Sequence, residues 1–395
     1  VKKFLTNPSA ASLVYTVFCN KKTTQPLTKR FDDSIIYPIS GMKAPNRLVL
    51  APMTNQQSHP DGTVSEEEIR FLEMRAQGEF GTVATCAMYV TDDGKAWQGQ
   101  MGLSSDRFIS PLRKLTQAIH RHGSLVIAQL FHGGSRANPE LTGRNLWSAS
   151  DIFHRSSGQL IAREAPETLI EEWITAFEQA AIRACEAGFD GVEIHAAHGY
   201  LIHQFLSAAT NKRTDHWGGT PKKRMNFLLA ILKRIQRHLK GKKIVGVRIS
   251  PEDFSFFTGI DFDESLQTAQ LLFESEVDYL DISLWNALKK PEKYPDGPHA
   301  ITYFANQKVG HASLIRTAGE IYTREQAQQV LHLGADLLAI GRAAIAHHHL
   351  PELWRRDILP SLPPYSENHL AAQGLSKPFI NYMKRWKNFV SETEQ

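Results

Sequence analysis

The segment Glu193-Ile-His195-Ala-Ala-His198-Gly-Tyr200-Leu-Ile-His203 gathers imidazoles and a phenol at one point of the chain. Imidazole N–H groups can donate to a carbonyl oxygen on which negative charge develops. A tyrosine hydroxyl can deliver a proton to carbon. His195, His198 and Tyr200 are therefore candidate catalytic residues for chemistry at a polarised carbonyl. Two other readings fit the same residues. H-x-x-H spacing can chelate a metal, but a third ligand is not evident, and no metal site is expected. The histidines can also simply satisfy loop carbonyls.

A second group lies elsewhere in the chain. Thr317-Ala-Gly319-Glu and Ala339-Ile-Gly341-Arg342 each close an apolar run. Glycine at such a point lets backbone N–H groups approach an anion, and Arg342 adds charge, which suits a phosphate. Thr54, Gln129 and Arg248 fall in or beside apolar runs, where an unpaired polar group is costly. Gln129 offers both donor and acceptor to an amide-like ring edge. Arg248 suits an electron-rich ring that becomes anionic on reduction. With a phosphate site beside them, these residues point to flavin mononucleotide (FMN).

The elements that must position these groups alternate. Strand-like apolar runs are expected at 47–53, 82–90, 124–131, 191–196, 243–250, 278–284, 312–319 and 337–342. Runs apolar almost throughout fit parallel strands covered on both faces. Helix-period segments lie between them. Ser65-Glu-Glu-Glu68 and Thr323 to Gln326 read as capping boxes, and Ser110-Pro111 as an N-cap followed by proline. Helical faces follow through Ile170 to Ala184, Phe227 to Ile235, Leu266 to Phe273 and about 301–309. A doubly wound sheet would want G-x-G-x-x-G after an early strand, and the first run ends in Ala51-Pro-Met53 instead. The expected fold class is α/β, a (β/α)8 TIM barrel with N- and C-terminal extensions. The expected organisation is an extension over 1–40, the barrel over 41–360, and a tail over 361–395 packed on the barrel or a neighbouring subunit. Long loops over 132–168 and 285–299 leave strand C-termini, where barrel active sites are built.

Composition narrows the class. A chain with 45 basic and 41 acidic residues is too balanced to suggest nucleic acid or a membrane surface as a partner. Cys19, Cys86 and Cys185 are too few for a disulfide framework and lack C-x-x-C spacing, so a cytoplasmic, reducing setting is expected. No apolar run reaches the ~18 residues a membrane-spanning helix needs. Ala10 to Cys19 faintly resembles a signal segment but is broken by polar residues, and reads better as part of an extension. A small-molecule substrate and a homo-oligomeric assembly complete the expectation.

The chain resembles the Old Yellow Enzyme family of FMN-dependent ene-reductases and NADH:flavin oxidoreductases over about residues 30–360. The resemblance rests on Ala51-Pro-Met-Thr54, Gln129-Leu-Phe-His-Gly-Gly134, Gly188 to Leu201, and Asn211-Lys-Arg-Thr-Asp-His-Trp-Gly-Gly219. Gly246-Val-Arg-Ile-Ser250, Gly259-Ile-Asp261, Gly334-Ala-Asp336 and Gly341-Arg342 follow in the same order. It implies that Pro52 and Met53 contact the flavin through backbone, with Thr54 near its reactive nitrogen. Ala87 would line the ring edge, Gln129 bind the pyrimidine end and Arg248 face N1 and O2. Gly319, Gly341 and Arg342 would bind phosphate, His195 and His198 the substrate carbonyl, and Tyr200 would donate the proton.

The segment Thr54-Asn-Gln56-Gln departs from one branch of that family, which carries Cys and then a substrate-contacting Tyr. A more polar, less aromatic pocket is implied. The Cys-rich iron–sulfur motif of longer relatives is absent, which implies a single-cofactor enzyme. The expected activity is NAD(P)H-dependent reduction of activated C=C bonds, with NADH or NADPH as reductant and FMN as cofactor. The alternatives are a flavin, quinone or nitro reductase on the same scaffold, a metal-dependent barrel hydrolase, and a catalytically idle ligand-binding barrel.

Overall fold

The structure, a computed structural model, describes residues 29–253 and 259–392. The segment 10–19 and Cys19 lie outside the described residues. Eight parallel strands close into a barrel: β1 (Leu48–Leu50), β2 (Thr82–Tyr89), β3 (Leu125–Phe131), β4 (Gly191–Ala196), β5 (Ile244–Ile249), β6 (Tyr279–Ser283), β7 (Leu314–Ala318) and β8 (Leu337–Ile340). All eight expected runs contain one of these strands. Helices α1 (Glu66–Gln77), α2 (Ile109–His120), α3 (Glu167–Glu186), α4 (Asn226–Leu239), α5 (Phe262–Glu274), α6 (Ala300–Gln307) and α7 (Arg324–His332) cover the outside. The fold is the (β/α)8 barrel expected from the alternation.

Side chains alternate between the helical shell and the barrel interior, so residues two apart share a face. The interior is layered. Near the N-terminal ends lies an apolar layer that includes Val49, Ala84, Ile127, Ile244, Leu314 and Leu337. A hairpin of Ile35–Ile36 and Lys43–Ala44 caps that end, with Tyr37 inserted and donating to or accepting from Thr82 at 3.1 Å. Above it lies a charged layer. Arg316 is fully buried and bonds both Glu193 and Asp281, the latter at 2.7 Å. Tyr279 Oη donates to Glu193 at 2.7 Å, and its ring fills the space that the missing side chain of Gly246 leaves. The uppermost layer is small: Ala51, Ala318 and Ala339, with Met53 packed against them. These alanines leave room above themselves.

Local details depart from the sequence expectations for physical reasons. Ser65 caps α1 by accepting from Glu68 N, but the Glu68 carboxylate does not return to complete a box; it takes a bond from Asn55 at 2.8 Å. The box at Thr323 and Gln326 is complete. Ser110 is not a cap, because α2 starts at Ile109 after a 3₁₀ turn over Asp106–Phe108, leaving Pro111 within its first turn. The stretch 132–168 is not an irregular loop. It folds a three-stranded sheet of Trp147–Ser148, Leu160–Glu164 and Ile152–Phe153, strands too short to show a clear period. The C-terminal helix Lys377–Met383 packs on the barrel, with Phe379 edge-on to Phe71 at 5.2 Å and Ser376 N donating to Gln57. Among the described residues, no helix is long and apolar enough to cross a membrane.

Candidate active site

Every candidate residue drawn from the sequence lines one cavity of ≈ 510 Å³ at the C-terminal ends of the strands. Pro52, Met53 and Thr54 enter from the segment after β1, Ala87 from β2, Gln129 from β3 and His195 from β4. His198 and Tyr200 follow in the turn after β4. Arg248 comes from β5, Gly319 from the end of β7, and Gly341 and Arg342 from the end of β8. Ala87 reaches the cavity through an irregularity in β2, where the register against β3 slips by one residue between Ala84 and Ala87. Such a bulge re-aims a strand end.

At one end of the cavity the polar groups are oriented from below. Gln129 Nε2 donates to Glu193 Oε1 at 2.6 Å. A carboxylate only accepts, so the amide nitrogen must face it and the amide oxygen faces away. Arg248 is buried, with Nη2 donating to Ser283 Oγ at 2.9 Å and Nε 3.3 Å from Asp281. A planar ring with an N–H beside a carbonyl, anionic when reduced, matches an amide acceptor and a guanidinium set side by side above a floor of alanines. The other end fits a phosphate in part. A Cβ on Gly341 would meet only Met53 Sδ at 3.5 Å, so glycine there holds space open toward the cavity. Gly319 has a different reason. Its φ is +144°, and a Cβ would lie 2.7 Å from Ala287 N and Leu284 O, so the close approach of the next loop requires it. Arg342 reaches the cavity paired with Glu320 at 2.9 Å and set among Trp285, Tyr322 and Trp386.

The residues suited to carbonyl chemistry form one cluster. The His195 ring lies 5.0 Å from that of His198 and 5.3 Å from that of Tyr200. His195 is buried, and its Nδ1 has no hydrogen-bond partner among the described residues. Burial, and then the positive charge of Arg248, holds the His195 imidazole well below its usual range, so it is neutral near pH 7; desolvation and Arg248 lower His198 in the same direction, although that residue is exposed to the cavity. Tyr200 is half-buried, edge-on to Phe131 at 4.4 Å. Burial raises its phenol, and Arg136, 4.6 Å from the ring centroid, opposes that rise. The H-x-x-H pair does not grow into a metal centre: among the described residues, no three His, Cys, Asp or Glu side chains are placed to hold an ion. His203 instead bonds Asp253 at 2.9 Å.

Of the two residues behind the expectation of a more polar, less aromatic pocket, Thr54 lines the cavity and Gln56 does not. Its backbone turns at φ +57°, and the flanking Asn55 and Gln57 are buried. The walls are aromatic instead, from Trp97, Trp285, Tyr382 and Trp386. Two of these come from the tail, beyond the barrel's strand pattern, and nothing in their spacing points to a site. Ser283, which contacts both Arg248 and His198, was also missed. Its position two residues beyond Asp281 on an inward strand face was the available signal.

The fold and the cavity define a (β/α)8-barrel enzyme with its site at the strand C-termini. Residues 37–358 match the NADH:flavin oxidoreductase / NADH oxidase family, and the chain belongs to it. It is 40% identical over 308 residues to a probable NADH-dependent flavin oxidoreductase, YqiG, of Bacillus subtilis (strain 168), covering 77% of this chain and 82% of that protein. It is 35% identical over 319 residues to an NADH:acrylate oxidoreductase of Vibrio harveyi, covering 78% of this chain but 31% of that one. Among solved structures, the old yellow enzyme homologue from Zymomonas mobilis superposes with a TM-score of 0.74 at 25% identity, covering 89% of this chain and 99% of the other. The protein is an oxidoreductase of the Old Yellow Enzyme type, a class that works with flavin and nicotinamide.

Proposed function

We propose that this protein uses FMN and NAD(P)H to reduce the activated C=C bond of α,β-unsaturated carbonyl compounds. The observation that carries the reading is the meeting of His195, His198 and Tyr200 in the cavity that also holds Gln129 and Arg248. Gln129 and Arg248 would hold the pyrimidine end of the flavin, Thr54 its central edge, and Gly341 and Arg342 its phosphate. Bound FMN would supply the hydride, received from NAD(P)H, to the β-carbon of the alkene. His195 and His198 donate to the carbonyl oxygen and draw electron density from that carbon. Tyr200 gives its proton to the α-carbon and regains one from solvent. The Vibrio harveyi relative is named for acrylate, a C=C bond conjugated to a carboxyl group.

The test separates the two half-reactions. Hydride transfer from NAD(P)H to flavin needs no acid, whereas alkene protonation does. Tyr200→Phe should therefore keep flavin reduction within a few-fold of wild type. It should slow enone reduction by ~10²–10⁴, the usual worth of a positioned acid. Stopped-flow measurement of each half-reaction decides. Equal impairment of both would make Tyr200 structural. Impairment of neither would move the physiological acceptor away from enones, toward a quinone or nitro compound.

A further inference from the structure

Ser283 ends β6 with its hydroxyl between two functional groups. Oγ lies 2.9 Å from Arg248 Nη2 and 2.7 Å from His198 Nε2. A guanidinium can only donate, so Arg248 occupies a lone pair of that oxygen. Among the described residues, Ser283 Oγ has no further hydrogen-bond partner. Among the described residues His198 Nε2 is the atom placed to accept the hydroxyl hydrogen, the competing arrangement being an Nε2–H that donates to the second lone pair of Oγ. A neutral imidazole that accepts at Nε2 carries its proton on Nδ1.

The backbone of His198 is fixed independently. Its φ is +61°, its N–H donates to Ser250 Oγ at 3.0 Å, and its carbonyl takes a bond from Arg136. The ring is open to the cavity, and Nδ1 has no hydrogen-bond partner among the described residues. We propose that Ser283 is a positioning residue whose hydroxyl, oriented by Arg248, holds His198 in its Nδ1–H form and so makes Nδ1–H the donor offered to a substrate oxygen. The second half of this statement rests on the reading of His198 as a carbonyl-binding residue. One serine therefore joins the guanidinium at the flavin edge to the donor at the substrate. Arg248 is itself braced by Asp281, so the tautomer of His198 is set from within the barrel.

The test uses the FMN-loaded protein carrying ¹⁵N-labelled histidine, with His198 assigned by its loss in His198→Asn. Long-range ¹H–¹⁵N spectra report which ring nitrogen holds the proton. A para-substituted phenol, followed by its charge-transfer band with the flavin, reports the donor's use. Wild type should show Nδ1 protonated and Nε2 bare. Ser283→Ala should shift His198 toward the Nε2–H form and weaken phenol binding by about 3- to 10-fold, the worth of one misdirected hydrogen bond. Ser283→Thr, which keeps the hydroxyl, should restore both. A purely structural serine would lower stability or FMN content in Ser283→Ala with the ¹⁵N pattern intact, and that result overturns the proposal. So does a wild-type His198 protonated at Nε2, which needs no variant to fold. If His198→Ala binds phenol as wild type does, the carbonyl-binding role fails, and with it the use proposed for Nδ1–H. The tautomer measurement separates that failure from the first.

Discussion

Replacing Glu193 by glutamine keeps shape and removes charge, so it isolates the electrostatic part of the barrel interior. Glu193 is fully buried and accepts three bonds: from Gln129 Nε2 at 2.6 Å, Tyr279 Oη at 2.7 Å and Arg316 Nη2. A glutamine has one acceptor oxygen, and its NH2 cannot face the NH2 of Gln129 or the guanidinium of Arg316. At least one bond is lost, and Arg316 keeps only Asp281 as a counter-charge. A hydrogen bond to a charged group is worth ~1.5–3 kcal/mol, and breaking a buried pair outright costs ~3–5 kcal/mol. Because Asp281 remains, Glu193→Gln should lower the unfolding free energy by about 2–4 kcal/mol. Gln129 also loses the partner that fixes its amide, so FMN affinity should fall by roughly 3- to 10-fold. Urea denaturation of the flavin-free protein gives the first number without stabilisation by bound ligand. Fluorescence titration with FMN gives the second. Stability within ~0.5 kcal/mol of wild type would refute the argument that this carboxylate holds the interior charge. Reduced stability with unchanged FMN affinity would show that Glu193 does not orient Gln129 toward the flavin.

Thr54→Ala should leave FMN bound but lower its reduction potential by about 10–30 mV, the equivalent of one hydrogen bond in a two-electron couple. Spectroelectrochemistry that finds the potential unmoved in a folded variant removes Thr54 from that role. Arg342→Gln should weaken FMN by ~10- to 100-fold while leaving riboflavin affinity nearly as it is, since only FMN carries the phosphate. Equal losses for the two ligands would refute the phosphate assignment. Burial pushes the Glu68 carboxyl up from 4.5 to about 7. The folded state then binds more protons than the unfolded state between those values, so stability falls as pH rises through that window and levels off above it. Glu68→Gln removes this dependence. The wild type should lose up to ~3 kcal/mol relative to the variant between pH ~4.5 and ~7, and parallel stability curves would contradict the burial argument.

The strands were legible because a parallel strand covered on both faces must be apolar nearly throughout, as Ile244–Ile249 and Leu337–Ile340 are. The histidine and tyrosine cluster was legible because all its members lie within one strand end and its turn. What stayed hidden depends on contacts between distant segments. Tyr382 and Trp386 reach the cavity only because the tail folds back over the barrel mouth. Gln56 looked like a pocket residue by position, yet its neighbours are drawn toward α1 by Glu68 and toward the tail by Ser376. The short sheet within 147–164 has strands of two and five residues, below the length at which alternation can be read.

The charged layer had a signal of a different kind. Gly191-Glu193-His195, Ile244-Gly246-Arg248, Tyr279-Asp281-Ser283 and Leu314-Arg316-Ala318 share one inward parity. A charge in the middle of an apolar run is tolerable only with a partner at the same height. The register supplies one: Arg248 lies beside Asp281, Asp281 beside Arg316, and Gln129 beside Glu193. Buried ion pairs of this kind add little net stability compared with a well-packed apolar core, because desolvation offsets their attraction. Their effect here is directional. A carboxylate below Gln129 dictates which end of the amide faces up, and one beside Arg248 holds the guanidinium edge toward Ser283. The polar residues at the mouth are thus the upper ends of an ionic layer rather than isolated side chains. An apolar interior of equal volume could hold the barrel closed, but it would leave the amide of Gln129 and the guanidinium of Arg248 free to turn.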